Sequence, residues 1–259
     1  MPELPDVEGF RRVIADHAVG RAVVRVDTAD SGVLRGVTAR QLNQAMRGHR
    51  FGVPERRGKL LVIRTDGPTL LLHFGMTGSL EWSTDGSPRH RYDRVTFVTD
   101  AGELRYRDMR KLQGLRLARD ERDVAAAIES LGPDALGLSR RDLAALLDRR
   151  RGAIKALLMD QEVIAGLGNL LTDEILWRAR INPRRKAGDL SPQEIATLHR
   201  EMGRVLRRSV QAGLVPGRSS WLTGVRDRPG AVCPRCGTPL VRGRIGGRTA
   251  VWCPHDQPD

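Results

Sequence analysis

Cysteine and aromatic residues are scarce in this 259-residue chain, which has 3 Cys, 2 Tyr, 4 Phe and 4 Trp. Three cysteines cannot all pair, and all three lie within the last 27 residues, so a metal site in a reducing cytosol is favoured over a disulfide framework. No apolar run approaches the length of a membrane span, and the acidic start of the chain does not resemble a signal peptide. We therefore expect a soluble, cytoplasmic chain with no membrane partner.

Acidic residues are too few to balance the basic ones. The chain has 31 Asp and Glu against 44 Lys and Arg, which gives a formal net charge of +13 and a pI of about 11.0. Such an excess favours a polyanionic partner, most often nucleic acid. The length is sufficient for two modest domains and a small appendage.

The apolar pattern divides the chain into three parts. Residues 1–20 predict a short amphipathic helix, and the β-rich runs from 22 to 116 predict an antiparallel β-sandwich or barrel. From about 124 to 213 apolar residues recur at helical spacing, with a capping box at Ser191 and Glu194. The expected fold class is multidomain α+β, with parts at 1–122, 123–225 and 226–259.

Pro2 is a candidate nucleophile. Methionine before such a small residue is normally removed, and the secondary amine left behind can attack an aldehyde-like sugar carbon to form an iminium ion. The pKa of an α-amino group is about 8, so part of it is unprotonated at neutral pH. Glu3 stands beside Pro2 as a candidate proton shuttle.

The C-terminal segment has the spacing of a zinc ribbon. Cys233 and Cys236 form a C-x-x-C pair, and Cys253 follows after sixteen residues. A second pair would place a cysteine at 256, where Asp256 stands with His255 beside it. We expect one structural zinc ion. His255 is the first choice for its fourth ligand because imidazole binds zinc more strongly. A zinc-free hairpin is the next alternative, and Asp256 as the fourth ligand is the third.

Six motifs resemble the formamidopyrimidine-DNA glycosylase and endonuclease VIII family. The chain opens "PELPDVEGFRR", where the family typically has "PELPEVE". Further matches follow in the family's order: "RRGKLLVI" (56–63), "LLHFGMTGSL" (71–80), "YRDMRKLQG" (106–114), "AIKALLMDQEVIAGLGNLLTDEIL" (153–176) and the cysteine segment. The resemblance implies an N-terminal β-sandwich with its helix, a helix–two-turn–helix domain and a C-terminal zinc-finger β-hairpin.

The resemblance also implies an activity, that of a base-excision-repair DNA glycosylase with abasic-site lyase activity on damaged double-stranded DNA. Pro2 would displace the base and hold the sugar as a Schiff base, while Glu3 would protonate the sugar oxygen. Lys59 would contact phosphate and assist β-elimination, and Arg248 would contact phosphate and assist δ-elimination. We expect a monomer associated with the bacterial nucleoid.

DNA contacts follow from the same resemblance. Met76, Arg110 and Leu112 match the positions that fill the gap left by an everted base, although the family commonly has an aromatic residue in place of Leu112. Asn169 is expected to cap a helix whose free N–H groups bind phosphate. The other candidate phosphate contacts are Arg150, Arg151, Lys155, Arg242 and Arg244.

The sequence leaves two alternatives open, one for the lesion that is removed and one for the function itself. The segment before Cys233 is shorter than in the family's oxidised-purine enzymes, so oxidised pyrimidines, ring-opened purines and bulkier alkyl adducts are all candidate substrates. The alternative function is a non-catalytic or specialised lesion-binding protein on the same scaffold. The changed wedge residue, Leu112, motivates this alternative.

Overall fold

The computed structural model describes residues 1–84 and 86–259. The chain forms two compact units, one of Met1–Pro2 and Asp6–Ser130 and the other of Glu3–Pro5 and Leu131–Asp259. Three residues of the N-terminal segment, Glu3–Pro5, therefore belong to the second unit, although the residues on either side of them belong to the first. Among the described residues, no helix combines the length and apolar character needed to cross a membrane.

The first unit is the expected β-sandwich. Its strands are β1 Val23–Thr28, β2 Leu34–Arg35, β3 Phe51–Arg57, β4 Leu60–Thr65, β5 Thr69–His73, β6 Ser79–Ser83, β7 Asp93–Thr99, β8 Glu103–Arg107 and β9 Gly114–Ala118. One sheet has the order β1-β7-β8-β6 and the other the order β2-β9-β5-β4-β3. The pairings are antiparallel, apart from the short parallel contact of β2 with β9.

Apolar side chains from both sheets meet in a single core. Phe97 and Leu104 of one sheet and Leu61 and Leu72 of the other are fully buried in the same cluster, together with Ile14. Ile14 belongs to helix α1 (Leu4–His17), which confirms the predicted N-terminal helix. Burying one such side chain stabilises a fold by roughly 1.5–3 kcal/mol, so this alternation of inward residues fixes the register of the strands.

A second helix, α2 (Ala39–Met46), lies in a stretch that the sequence pattern assigned to β-structure. Thr38 accepts the Gln41 N–H through its hydroxyl, and the Gln41 side chain accepts the Thr38 N–H, which makes a capping box. Leu42 and Met46 are buried in the sandwich core. Only Leu42 and Met46 among its eight residues are large and apolar, so the capping box was the clearer signal in the sequence. Helix α3 (Glu121–Glu129) closes this unit.

The second unit is helical and ends in a β-hairpin. Its helices are α4 Arg140–Leu147, α5 Ile154–Met159, α6 Asn169–Ala179 and α7 Pro192–Ala212, and its strands are β10 Val241–Ile245 and β11 Arg248–Trp252. The predicted capping box of Ser191 and Glu194 opens α7. Gly246 and Gly247, with φ of +57° and +73°, make the two-residue turn of the hairpin, where positive φ at both positions suits a tight turn.

Candidate functional site

The carboxylate of Glu3 is fully buried at the N-terminus of α6. Its Oε2 accepts the N–H groups of Gly168 at 2.9 Å and Leu171 at 3.1 Å, and its Oε1 accepts that of Leu170 at 2.8 Å. A helix leaves its first N–H groups without intrahelical partners, and its dipole favours an anion at this end. The second unit thus fixes the orientation of the carboxylate that directly follows Pro2 in the chain.

The glycines of "AGLGN" make room for the N-terminal segment. A Cβ on Gly168 would lie 2.3 Å from the carboxyl carbon of Glu3, and one on Gly166 would lie 2.6 Å from the Leu4 side chain. Gly166 also has a φ of +112° and accepts the Leu4 N–H at 3.1 Å. Two motifs that are far apart in the sequence therefore form one local structure.

Asn169 does not occupy the N-cap position that was expected for it. Gly168 is the N-cap of α6, and Asn169 is the first helical residue. Because Glu3 already binds the N–H groups at this end, the helix terminus is not the open phosphate site that the sequence suggested. The Asn169 Oδ1 is buried and has no hydrogen-bonding partner among the described residues, so hydrogen-bonding capacity remains in its side chain.

Lys155 lies inside the protein. Its side chain and that of Asp173 are 0 % exposed, and its Nζ donates to Asp173 Oδ1 at 2.5 Å and to the Thr249 carbonyl at 2.8 Å. Asp173 Oδ2 accepts the Val251 N–H at 3.1 Å and lies 3.1 Å from the guanidinium of Arg226. Burial raises the pKa of Asp173 and lowers that of Lys155, while their opposite charges counter both shifts. This network joins α6 to β11, which replaces the expected phosphate contact of Lys155 with an internal role.

The three arginines of the hairpin differ in their hydrogen bonding. Arg248 is the first residue of β11, directly after the turn, and is exposed, as is Arg244. Arg242 donates to the backbone carbonyl of Arg226 and is thereby tied to the preceding segment. Among the described residues of the hairpin, Arg248 and Arg244 present exposed guanidinium groups to an external anion, and Arg242 also stays half-exposed beside its bond to Arg226.

Arg150 and Arg151 lie in the segment between α4 and α5, and both are exposed. The Gly188 N–H donates to the Arg150 carbonyl at 2.9 Å, and the Ala187 N–H donates to the Gly152 carbonyl at 3.0 Å. These bonds hold the backbone of the segment. The structure therefore gives these two residues the surface position that Lys155 lacks.

The first unit brings Met76 and Arg110 together, with Arg110 Nη1 donating to Met76 Sδ at 3.1 Å. The Thr77 hydroxyl accepts the Arg110 N–H at 3.0 Å and donates to Asp108 at 2.6 Å, which joins the two loops. Leu112 is 50 % exposed although it is apolar. An exposed apolar side chain near a cation suits insertion into a base stack.

Residues that are distant in the sequence hold the backbone that carries Arg110 and Leu112. Lys111, between them, has a left-handed φ of +54°, and its Nζ lies 2.9 Å from Asp30. Arg35 donates to the carbonyls of Lys111 and Gln113 at 2.9 and 2.8 Å. No local pattern in the sequence indicates these roles of Asp30 and Arg35, because their partners lie more than 70 positions away.

Lys59 lies in the turn between β3 and β4. The next residue, Leu60, pairs with His73 of β5. His73 Nδ1 accepts the Gly75 N–H at 3.1 Å, and burial, aided by the charge of Lys59, lowers the pKa of His73. His73 therefore belongs to the surroundings of Lys59, although only its place in "LLHFGMTGSL" could have pointed to it.

Four side chains form a candidate metal centre: Cys233, Cys236, Cys253 and Asp256. One ligand atom from each lies within 4.8 Å of the others, and three thiolates with a carboxylate are a donor set that fits one tetrahedral zinc ion. Hydrogen bonds with Thr238 lower the pKa of Cys236 to about 7, whereas burial raises the pKa of Cys253 to about 11. Zinc binding would require both thiols as thiolates. The expected first choice, His255, is wrong: its side chain is 72 % exposed and it is not part of the group, and Asp256 lies beside the cysteines instead.

Family models match the chain in three places. The model of the formamidopyrimidine-DNA glycosylase N-terminal domain matches residues 1–115, and the model of the same enzyme's H2TH domain matches 131–218. A zinc finger found in FPG and IleRS matches 230–258. These matches follow the order of the sandwich, the helices and the cysteine hairpin.

Known proteins agree with the chain over its whole length. It is 38 % identical to the formamidopyrimidine-DNA glycosylase of Geobacter sulfurreducens, covering 98 % of each chain, and 35 % identical to that of Geobacillus kaustophilus, covering 99 % and 100 %. A crystal structure of a Lactococcus lactis FPG variant with Fapy-dG-containing DNA matches with a TM-score of 0.90 at 27 % identity, covering both chains fully. The wild-type protein of that organism with oxidised-pyrimidine-containing DNA matches with a TM-score of 0.89.

Proposed function

Since the chain belongs to the formamidopyrimidine-DNA glycosylase family of base-excision repair, we propose that it removes a damaged base from double-stranded DNA and cleaves the strand at the abasic site. The observation that carries this proposal is the buried Glu3 carboxylate, held by three N–H groups at the start of α6. A surface glutamate near a disordered terminus would need no such support. A carboxylate fixed beside an amine nucleophile does need it, because proton transfer depends on geometry.

Pro2 is the proposed nucleophile once Met1 has been removed. The amine lone pair attacks C1′, and the bond from C1′ to the damaged base breaks with its electrons leaving on the base. The amine proton passes to Glu3 and then to O4′ as the C1′–O4′ bond opens, which leaves an iminium ion. Loss of a C2′ proton then expels the 3′ phosphate by β-elimination, and a following δ-elimination expels the 5′ phosphate.

Two cations are assigned to the phosphates around this reaction, the half-buried Lys59 and the exposed Arg248. We propose that Lys59 assists β-elimination and that Arg248 assists δ-elimination, because a fixed cation stabilises charge developing on a leaving phosphate. Met76, Arg110 and Leu112 would occupy the space of the everted nucleotide. The remaining proposed DNA contacts are Arg150, Arg151, Asn169, Arg242 and Arg244.

Ring-opened purines are the proposed first substrate class. The Lactococcus lactis relative was crystallised with DNA containing Fapy-dG. In this chain the segment before the hairpin is folded onto the second unit: Trp221 is 2 % exposed, and the Thr223 N–H donates to Glu174 at 3.1 Å. A short, anchored segment has little length with which to cover a base, which supports ring-opened purines ahead of 8-oxoguanine.

Borohydride trapping tests the covalent step. Reduction of the iminium ion should link the wild-type protein to a duplex with a ring-opened purine or an abasic site, provided that mass spectrometry first verifies an N-terminal proline. Pro2→Gly should lose the trapped product. Pro229→Gly, a matched change at an exposed proline, should trap like the wild type.

Absence of trapping by protein with a verified N-terminal proline would refute the lyase. Tight, salt-sensitive binding without base release on a panel of oxidised, ring-opened and alkylated lesions would select the non-catalytic alternative. Mass spectrometry of the oligonucleotide products separates the two results. It also reports the ratio of β- to δ-elimination.

A further inference from the structure

The cysteine hairpin departs from a four-cysteine finger at one corner only. "CPHD" keeps the C-x-x spacing of the first pair, so Asp256 stands where the second pair would have its second cysteine. We propose that Asp256 completes a zinc site of three thiolates and one carboxylate, and that Arg235 orients this carboxylate and offsets the charge of the site. The proposal concerns metal binding and stands independently of the glycosylase activity.

The distances agree with this ligand set. Zinc–sulfur bonds of about 2.3 Å and zinc–oxygen bonds of about 2.0 Å at tetrahedral angles give ligand separations of about 3.8 Å for two sulfurs and about 3.5 Å for sulfur and oxygen. Cys236 Sγ and Cys253 Sγ are 3.5 Å apart, and Cys233 Sγ and Asp256 Oδ2 are also 3.5 Å apart. Two opposite edges of the tetrahedron therefore have near-ideal lengths, and one of them ends on the carboxylate.

The two candidates for the fourth corner differ in burial. The Asp256 side chain is 7 % exposed and that of His255 is 72 % exposed. His255 approaches the group only through its Nδ1, which lies 3.9 Å from Asp256 Oδ1. The Asp256 N–H also donates to Cys253 Sγ at 3.4 Å, which fixes the backbone of Asp256 next to a ligand. Imidazole is the better zinc ligand in general, but here the fold turns it to solvent.

Arg235 is the partner that a buried carboxylate ligand requires. It lies between the first two cysteines in the chain, and its Nη1 is 3.3 Å from Asp256 Oδ2. A carboxylate oxygen has two lone pairs, so it can bind a metal with one and accept the guanidinium N–H with the other. Three thiolates, a carboxylate and Zn²⁺ sum to a charge of about −2, which the Arg235 cation reduces to about −1.

Helix α6 holds Arg235 in place. The Arg235 guanidinium lies over the ring of Trp177, a residue of α6, at 4.4 Å from the ring centroid. It donates to the Trp177 carbonyl at 3.3 and 3.4 Å. The Trp177 ring N–H lies 3.3 Å from Cys233 Sγ, and the Arg235 N–H donates to the same sulfur at 3.4 Å. Groups that orient metal ligands in this way typically change metal affinity about 10- to 100-fold when removed.

Zinc binding by the full-length protein tests the proposal. The measurements are metal content, zinc affinity by chelator competition, and X-ray absorption of the zinc-loaded wild type. We expect one zinc per chain with three sulfur neighbours and one oxygen neighbour. Asp256→Ala and Arg235→Gln should each weaken zinc binding by about tenfold or more. Asp256→Cys should bind zinc more tightly than the wild type, because thiolate is the softer ligand.

Two control variants separate this site from its alternatives. His255→Ala should keep wild-type zinc affinity, and Arg228→Gln removes the same charge as Arg235→Gln at an exposed position and should change nothing. Histidine scattering in the wild-type absorption spectrum, or weaker zinc binding by His255→Ala than by Asp256→Ala, would overturn the assignment of Asp256. Unchanged zinc affinity in Arg235→Gln would overturn the role of Arg235. The wild-type spectrum keeps the ligand assignment testable even if a variant fails to fold.

Discussion

Single residues decide whether the N-terminal segment can reach its place. Gly168 is the clearest case, because the carboxylate of Glu3 occupies the space in which any side chain at 168 would lie. The φ of Gly168 is −124°, which other residues can also adopt. Glycine is therefore required at this position for space and not for backbone freedom. The same position also supplies one of the three N–H groups that hold Glu3.

Gly168→Ala should therefore displace Glu3, lower the rate of base release and reduce the free energy of unfolding by about 1–3 kcal/mol, which is typical of overpacking. Single-turnover kinetics and urea unfolding measure the two effects. Gly137→Ala is the matched control, since a Cβ there meets nothing within 4 Å. Wild-type base release by Gly168→Ala would contradict the role given to Glu3.

His73 makes a prediction for the pH dependence of stability. Burial lowers its pKa in the folded state, so as the pH falls through about 6.5 the unfolded chain takes up a proton there before the folded chain does. Above that pH His73 costs the fold no stability in this way, and below it His73 progressively lowers the free energy of unfolding. Urea unfolding at pH 7.5 and 5.5 should show a smaller loss of stability on acidification for His73→Asn than for the wild type. The exposed variant His90→Asn should follow the wild type, and equal losses in all three proteins would refute the prediction.

At the scale of elements, α6 organises the second unit. Its N-terminus binds Glu3, its middle supplies Asp173 to the buried network, and Trp177 near its end contacts Arg235. Buried ion pairs contribute little net stability but are costly to break, because the remaining partner is left charged without compensation. The network thereby favours one arrangement of the hairpin on the helix.

Asp173→Asn should reduce the free energy of unfolding by about 3 kcal/mol, since Lys155 and Arg226 would keep buried charges without a carboxylate. Chemical denaturation measures the change. Asp148→Asn, at a carboxylate that is 71 % exposed, is the control and should leave stability unchanged. A loss for Asp173→Asn no larger than that of the control would show that the network does not hold α6 and β11 together.

The whole molecule carries a charge of +13, which should attract DNA from a distance and make its binding sensitive to salt. Each phosphate neutralised by a cation releases counterions from the duplex. The charge excess alone does not identify the cations that touch DNA, because many guanidinium groups are paired with carboxylates. Arg119 with Asp123 is one such pair.

Arg248→Ala should reduce the magnitude of the slope of log affinity against log salt by about 0.9, the value for one phosphate contact. Fluorescence anisotropy on a duplex with a stable abasic analogue, at several salt concentrations, measures it. Arg119→Ala removes the same charge from a residue paired with Asp123 and should leave the slope unchanged. Equal changes in both variants would show that net charge, and not a contact of Arg248, determines the slope.

Local patterns predicted much of this architecture. The strand "DRVTFVTD" and the capped helix that begins at Ser191 follow from alternation, helical spacing and the capping box, all of which act within a few residues. Helix α2 is not evident from the sequence because it spans only eight residues and lies among β-rich runs. The position of Lys155 was misjudged for a different reason: its carboxylate partner is 18 positions away and its burial depends on the hairpin.

Most strands and helices, the net charge, the cysteine spacing and the motifs that indicate the family follow from the sequence alone, because these properties reside in neighbouring residues or in composition. Which charged groups are buried, and which partners they have, depends on the folded chain: Glu3 lies on α6, Lys155 on Asp173, and Asp256 rather than His255 beside the cysteines. The physical reason is that burial and pairing depend on groups brought together from as many as 168 positions apart, as are Glu3 and Leu171.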